Sequence, residues 1–149
     1  MSEKTVYLRC DKCGVLNRVP ADKIHSDPKC GKCKDIIQIL HIPVDVTTAN
    51  FDKEVLAWPG TVAVEFWTPW CGHCRTMAPL LEKLAREKAG LLKVVRVNLD
   101  SEPLLGPRFG VTATPTFYVY QNGHRHGDIS GAVPKDQFEA WIEAVLLVS

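Results

Sequence analysis

The chain has 149 residues, of which 46% are hydrophobic, and a formal net charge of +1 at pH 7. This size suits one ordinary globular domain with a small appendage. The small net charge argues against nucleic acid or an acidic membrane as the main partner, and no apolar run is long enough to cross a bilayer. The start of the chain lacks the apolar stretch of a secretory signal, so we expect a cytoplasmic protein.

The six cysteines are arranged as three Cys-x-x-Cys pairs. In a chain without an export signal, such pairs indicate metal or redox chemistry rather than a framework of structural disulfides. The first two pairs are Cys10 with Cys13 and Cys30 with Cys33. Sixteen residues separate these pairs, which is the spacing of a four-cysteine zinc site built from two tight knuckles. Gly14 and Gly31 are expected to adopt the unusual backbone angles of the knuckles.

Short apolar runs beside the knuckles predict three strands, over residues 5–8, 15–19 and 36–42. We therefore predict that residues 1–40 form a zinc ribbon holding one structural Zn²⁺ ion. So short a segment has too little apolar area to fold unaided, and metal binding would supply the missing free energy. The alternative is that the four cysteines form disulfides or a second redox relay. His25 is interpreted as a surface histidine, because four cysteines already complete the ligand set.

Residues 41–149 are predicted to form a second unit in which strands and helices alternate. Residues 44–46 give its first strand, and Thr47 or Thr48 can cap a helix over residues 49–57. Residues 61–67 form a nearly continuous apolar run, typical of a central strand that is buried on both faces. Glu65 interrupts this run. A lone carboxylate there is costly, so a partner charge or a function must explain it.

The third cysteine pair lies in the motif Trp70-Cys71-Gly72-His73-Cys74, between this strand and a helical pattern. Two thiols at positions i and i+3 of a helix start lie on one face, close enough for a disulfide. The helix N-terminus favours a thiolate at Cys71, and a protonated His73 would add to that. Cys71 is therefore the predicted nucleophile and Cys74 the resolving thiol. Zinc is disfavoured at this pair because no further cysteine pair follows it.

The remaining pattern continues the alternation of helices and strands. It predicts a helix over residues 76–89 that is kinked at Pro79, a strand over 92–99 and a helix over 102–109 that is interrupted at Gly106-Pro107. A strand over 116–120, a hairpin turn at Asn122-Gly123 and a strand over 126–129 follow, and a last helix begins at Pro134. His124 and His126 flank the hairpin without further ligands nearby, so we expect them to be exposed to solvent.

Several motifs together resemble the thioredoxin superfamily in order and spacing. They are Glu65-Phe66-Trp67-Thr68-Pro69-Trp70-Cys71-Gly72-His73-Cys74, Met77-Ala78-Pro79, Ala113-Thr114-Pro115-Thr116 and Asn122-Gly123. The resemblance implies an α/β thioredoxin fold, in which a central mixed β-sheet is flanked by helices, over about residues 42–148. It also implies a cis bond between Thr114 and Pro115. Client proteins would dock against Trp70, Thr114, Pro115 and Gly131.

Two positions differ from the usual thioredoxin pattern and resemble protein disulfide isomerase domains instead. His73 stands where thioredoxins usually have proline, and Glu65 stands where they usually have a buried aspartate. The resemblance implies that Glu65 transfers protons to and from the resolving cysteine. His73 is expected to tune the reduction potential, because an imidazolium favours the thiolate form. The alternative for Glu65 is a carboxylate that reaches solvent or pairs with Arg96 or Lys93.

With the ribbon included, nearly the whole chain resembles the zinc-ribbon thioredoxins of the thioredoxin-2 type. The resemblance implies a monomeric protein-disulfide reductase that acts on client proteins, is re-reduced by thioredoxin reductase and has no tightly bound organic cofactor. A more oxidising role as an oxidase or isomerase stays open. A third hypothesis is an adaptor or stress sensor whose ribbon binds partners or releases zinc on oxidation.

Overall fold

The computed structural model describes residues 5–38 and 42–147. Within them the backbone forms a two-stranded antiparallel sheet and a five-stranded mixed sheet with the strand order β3-β5-β4-β6-β7. The strands are β1 (Thr5–Arg9), β2 (Leu16–Pro20), β3 (Val44–Asp45), β4 (Thr61–Trp67), β5 (Leu92–Asn98), β6 (Thr116–Gln121) and β7 (His124–Ser130). The α-helices are α1 (Gly72–Glu87), α2 (Leu105–Phe109) and α3 (Lys135–Leu147).

The N-terminal unit is a small ribbon built on the hairpin of β1 and β2. Val6 and Leu8 point into its core because side chains alternate along a strand, and Val19, Ile24 and Ile37 complete the apolar cluster. The third predicted strand is not formed in the described part of residues 36–42. Ile36 makes only an isolated bridge to Lys29, where the chain closes around the second knuckle, and residues 39–41 lie outside the described residues.

The knuckle geometry corrects the prediction for Gly31. The left-handed position follows the second cysteine of each knuckle, at Gly14 with φ +79° and at Lys34 with φ +70°. The two turns match, because the N–H of Gly14 donates to the Cys10 carbonyl over 2.9 Å and the N–H of Lys34 donates to the Cys30 carbonyl over 3.0 Å. Gly31 is not among the residues with positive φ.

The five-stranded sheet separates two apolar cores. β4 lies at its centre, parallel to β5 and antiparallel to β6, and its first six residues are all buried. One core packs between the sheet and the helices α1 and α3, and includes Met77, Leu81, Phe117, Phe138 and Ile142. The other core covers the opposite face and includes Phe51, Val55, Trp58, Phe66 and Leu105. A central strand buried on both faces explains the continuous apolar run in the sequence.

Three helical segments differ in detail from the sequence predictions. The helix expected over residues 49–57 is a turn followed by one π-helical turn, Asp52–Leu56. Helix α1 continues through Pro79 without a break, and the kink there stays a prediction. Helix α2 is not interrupted at Gly106-Pro107. It begins at Leu105, which places Pro107 in the first turn, where a missing N–H leaves no hydrogen bond unmade.

Among the described residues, no helix is both long enough and apolar enough to cross a membrane.

Candidate functional site

The third cysteine pair lies just beyond the C-terminal end of the central strand. β4 ends at Trp67, and Cys71 is the N-cap residue of α1. Cys71 and Cys74 form a disulfide with a Cα–Cα distance of 5.2 Å. The N–H of Cys74 donates to Sγ of Cys71 over 3.1 Å. A first-turn amide therefore points at the sulfur that would carry negative charge after reduction, as the free N–H groups of a helix start allow.

The two sulfurs of this pair differ in their access to solvent. Cys74 is only 1% exposed, whereas Cys71 is partly exposed at the surface. Trp70 is 78% exposed beside it, and His73 is also exposed. A protein disulfide can approach Cys71 from solvent but cannot reach Cys74 without displacing core residues. Cys71 is therefore the more accessible of the two sulfurs, and it is the one that the helix-terminus argument predicts as the nucleophile.

Glu65 lies in the interior of β4 and is 1% exposed. The parallel register places it opposite Arg96 on β5, and Nε of Arg96 donates to Oε1 of Glu65 over 2.8 Å. Burial raises the pKa of Glu65, and the hydrogen bond and charge of Arg96 oppose this rise without cancelling it. Among the described residues, the second oxygen, Oε2, is buried without a hydrogen-bond partner. One oxygen is therefore held by a cation and the other is free to carry a proton.

Arg96 was one of two candidate partners for Glu65 in the sequence, and the register decides between them. Lys93 pairs with Val62 in the ladder and binds Glu54 on the opposite face of the sheet. Arg96 also stacks on the Trp67 ring, with its guanidinium carbon 4.2 Å from the ring centroid. The arginine therefore links the buried carboxylate to the last residue of β4.

The predicted docking residues gather at the same end of the sheet as the disulfide. Thr116 pairs with Phe66 near the end of β4, so Pro115 lies beside the strand end that leads to the cysteines. The Thr114–Pro115 peptide bond is cis. The N–H of Gly131 donates to the Pro115 carbonyl over 2.7 Å, which joins the two segments. Gly131 has φ +85°, and a Cβ there would meet no atom within 4 Å, so its backbone angle, not crowding, favours glycine.

The four ribbon cysteines form a second site. Their Sγ atoms all lie within 4.8 Å of one another, with 3.6 Å between Cys10 and Cys33 and 3.5 Å between Cys13 and Cys30. A tetrahedral Zn²⁺ ion with Zn–S bonds of about 2.3 Å requires sulfurs about 3.8 Å apart. The cluster therefore fits one zinc ion with four thiolate ligands.

Hydrogen-bond donors surround these sulfurs. The backbone N–H groups of Lys12 and Lys32 donate to Cys10 and Cys30, each over 3.4 Å. The N–H of Cys33 and the amide of Asn17 lower the pKa of Cys30 to about 6. The backbone N–H of Asp35 acts in the same direction on Cys33, but burial and the neighbouring sulfurs raise the pKa of that thiol to about 12. A proton is therefore easily lost from one sulfur and held by another, as expected where closely spaced thiols share charge.

The sequence analysis missed Asn17 as part of this site. Its side-chain amide lies 3.5 Å from Sγ of Cys30, and its Oδ1 accepts the N–H of Gly31 over 2.9 Å. A polar residue within the short strand β2 was the available signal, because its side chain needs a partner near the ribbon core. His25, His124 and His126 are exposed, as predicted.

Comparisons with known proteins agree with this geometry. The Thioredoxin family model matches residues 42–144, and the model described as Thioredoxin 2, N-terminal matches residues 9–35. The chain is 38% identical over 101 residues to a thioredoxin of Pseudomonas aeruginosa, which covers 68% of this chain and 94% of that protein. It is also 38% identical over 96 residues to thioredoxin 1 of Synechococcus elongatus, covering 64% of this chain and 90% of that protein.

A surface cysteine at a helix start, a buried partner in the same turn and a cis-proline loop at the same end of the sheet form the site of a thiol–disulfide oxidoreductase. Together with the family matches, they show that this chain belongs to the thioredoxin family and carries the N-terminal zinc-ribbon domain of the thioredoxin-2 type.

Proposed function

We propose that the protein reduces disulfides in client proteins through Cys71 and Cys74. The observation that carries this proposal is the asymmetry of the pair, in which Cys71 is accessible and accepts a helix N–H while Cys74 is 1% exposed. An accessible thiolate stabilised by an amide is the species that attacks a disulfide.

The reaction runs in two exchanges. The Cys71 thiolate attacks one sulfur of a client disulfide, the client S–S bond breaks, and the other client sulfur leaves as a thiolate that takes a proton from solvent. A mixed disulfide now joins Cys71 to the client. Cys74 loses its proton and attacks Sγ of Cys71, which releases the second client sulfur as a thiol and leaves the enzyme oxidised. Two electrons pass from the enzyme dithiol to the client.

Glu65 is the proposed proton acceptor for Cys74. Burial raises the pKa of Glu65, and its unpartnered Oε2 can accept and return a proton, as a carboxyl group in this role requires. His73 is the proposed tuning residue, because a protonated imidazole beside the helix N-terminus would stabilise the reduced thiolate form and raise the reduction potential. Trp70, Thr114, Pro115 and Gly131 are the proposed docking surface for an extended client segment.

One structural Zn²⁺ ion is the proposed resident of the ribbon, where Cys10, Cys13, Cys30 and Cys33 would hold it. The ion would supply folding free energy to a unit with a small apolar core. We propose residues 1–40 and 41–149 as the two units, a division supported by the separate family matches. The proposed setting is cytoplasmic and the chain monomeric. Thioredoxin reductase is the proposed electron donor.

The test is reduction of insulin disulfides by the reduced protein under anaerobic conditions. The wild type is expected to reduce insulin, and Cys71→Ser is expected to be inactive because the attacking sulfur is absent. A matched variant, Cys30→Ser, alters a cysteine of the ribbon and is expected to keep most of the activity. Equal loss in the two variants would contradict the assignment of the reaction to Cys71. A measured reduction potential near that of disulfide isomerases, about −180 mV, would favour the oxidising alternative.

A further inference from the structure

The ribbon contacts the thioredoxin unit through a cluster of two cations, one carboxylate and one indole ring. Arg9 is the last residue of β1 and precedes the first knuckle. Its Nε lies 3.3 Å from Oε1 of Glu54, and its guanidinium carbon lies 5.6 Å from the centroid of the Trp58 ring. Glu54 and Trp58 both belong to the thioredoxin unit, so Arg9 joins the two units with a single side chain.

Lys93 holds Glu54 and Trp58, the thioredoxin side of this contact, in place. Its Nζ lies 2.7 Å from Oε2 of Glu54 and 2.9 Å from the Glu54 carbonyl oxygen. The same Nζ lies 3.6 Å from the centroid of the Trp58 ring. Trp58 is buried, and the side chains of Glu54 and Lys93 are mostly buried. The carboxylate and the ring are therefore fixed before Arg9 approaches them, which reduces the entropy lost on contact.

Arg9 is equally constrained on the ribbon side. Its Nη1 donates to the carbonyl of Gly14 over 3.0 Å, which closes the loop of the first knuckle. A second contact supports the position of the ribbon, because a Cβ at Gly90 would lie 3.1 Å from Cδ1 of Ile24 and 3.6 Å from Cγ2 of Val6. Glycine at this position lets the apolar face of the ribbon approach the turn between α1 and β5 closely.

The contact fixes the ribbon at a particular end of the sheet. The cleft between the two units, about 660 Å³, is lined by Gly60 and Thr61 at the start of β4 and by Gln121 and Asn122 at the end of β6. The disulfide follows the other end of β4, seven residues along the strand, which is about 20 Å away at roughly 3.3 Å per residue. The described part of the ribbon therefore lies away from the docking surface around Cys71.

We propose that Arg9 is an interdomain latch that ties the first knuckle to Glu54 and Trp58 and holds the ribbon as one body with the thioredoxin unit, at the end of the sheet opposite the disulfide. A client bound to both the ribbon and the disulfide must then span the length of the central strand. The latch does not depend on the proposed direction of the redox reaction, since none of its residues touches the disulfide.

The test is NMR relaxation on the zinc-loaded full chain, which gives a rotational correlation time for each unit separately. The wild type is expected to show the same correlation time in the ribbon and in the thioredoxin unit. Arg9→Gln should shorten the correlation time of the ribbon alone. It should also speed amide hydrogen exchange at Trp58 roughly tenfold, equivalent to about 1.4 kcal/mol. Arg18→Gln is the matched control, because Arg18 lies exposed on the neighbouring strand β2 and is expected to change neither value.

A second variant separates loss of the contact between the units from damage to the ribbon itself. Glu54→Gln alters the thioredoxin side of the latch, leaves every ribbon residue intact, and should release the ribbon as Arg9→Gln does while zinc stays bound at one ion per chain. Unchanged ribbon tumbling in Arg9→Gln and in Glu54→Gln would overturn the latch. Independent tumbling of the ribbon in the wild type would overturn it as well.

Discussion

Replacing Arg96 with methionine tests the electrostatics beneath the disulfide. Arg96 is the hydrogen-bond partner that the structure gives to Glu65, which is 1% exposed. Methionine keeps much of the aliphatic length but removes the charge, and a buried carboxylate left without its partner typically costs about 3–5 kcal/mol. The carboxylate can avoid that cost by taking up a proton, so the loss must depend on pH.

The size of the pH dependence follows from the free energy needed to keep Glu65 protonated. Keeping Glu65 protonated in the folded variant costs about 1.36 kcal/mol for each pH unit above the unfolded glutamate pKa of about 4.3. The cost is therefore about 1 kcal/mol at pH 5 and about 3.7 kcal/mol at pH 7. A protein with a carboxyl group whose pKa is raised by folding loses stability as pH increases through this window. The wild type is expected to lose less stability than the variant, because Arg96 opposes the rise in the pKa of Glu65. Loss of the stacking on Trp67 adds about 0.5–1 kcal/mol at either pH.

The assay is urea unfolding of the oxidised protein at pH 5 and pH 7, followed by tryptophan fluorescence. All four tryptophans lie outside residues 1–40, so the signal reports on the thioredoxin unit. Arg108→Met is the control, since its ion pair with Asp52 is exposed and should contribute under about 1 kcal/mol at both pH values. Arg96→Met with Glu65→Leu should recover stability at pH 7. An equal loss at both pH values, with no recovery in the double variant, would show that the lost stability does not come from an unpaired Glu65 carboxylate.

Three further predictions concern the two cysteine sites. His73→Pro should lower the reduction potential, because proline cannot carry a positive charge next to the helix start. Redox titration against glutathione measures the potential of both forms, and equal potentials would exclude His73 as the tuning residue. Lys34→Gly should stabilise the ribbon by up to about 1 kcal/mol, because Lys34 has φ +70°, a left-handed angle that glycine adopts more easily than lysine. Slower transfer of zinc from the variant to a chelator would show this stabilisation. Cys30→Ser should lower zinc content well below one ion per chain, whereas an unchanged content in metal analysis would contradict the four-thiolate site.

Features set by local spacing were predictable from the sequence. The continuous apolar run identified β4, and the cysteine pairs identified both sites, because knuckles and helix starts involve neighbouring residues. Gly31 was misassigned because the left-handed angle belongs to the residue after each pair, and Lys34 occupies that position without the usual glycine. A sequence pattern gives no direct signal for such a strained residue.

Features set by register and by contact between units were less predictable. Charge alone allowed either Arg96 or Lys93 as the partner of Glu65, and only the parallel register of β4 and β5 separates them. The contact of Arg9 with Glu54 and Trp58 joins residues more than forty positions apart and follows no periodicity. Such contacts depend on how the two units dock, which the pattern of either unit does not encode.

Cys71 is proposed to attack client disulfides, and Cys74 is proposed to resolve the mixed disulfide. The most direct measurement is mass-spectrometric mapping of the adduct formed when reduced, zinc-loaded Cys74→Ser reacts with a protein disulfide under anaerobic conditions. We expect a stable mixed disulfide whose enzyme half is the peptide containing Cys71, and no such adduct with Cys71→Ser. An adduct on Cys10, Cys13, Cys30 or Cys33, or normal turnover by Cys74→Ser without added thiol, would contradict it.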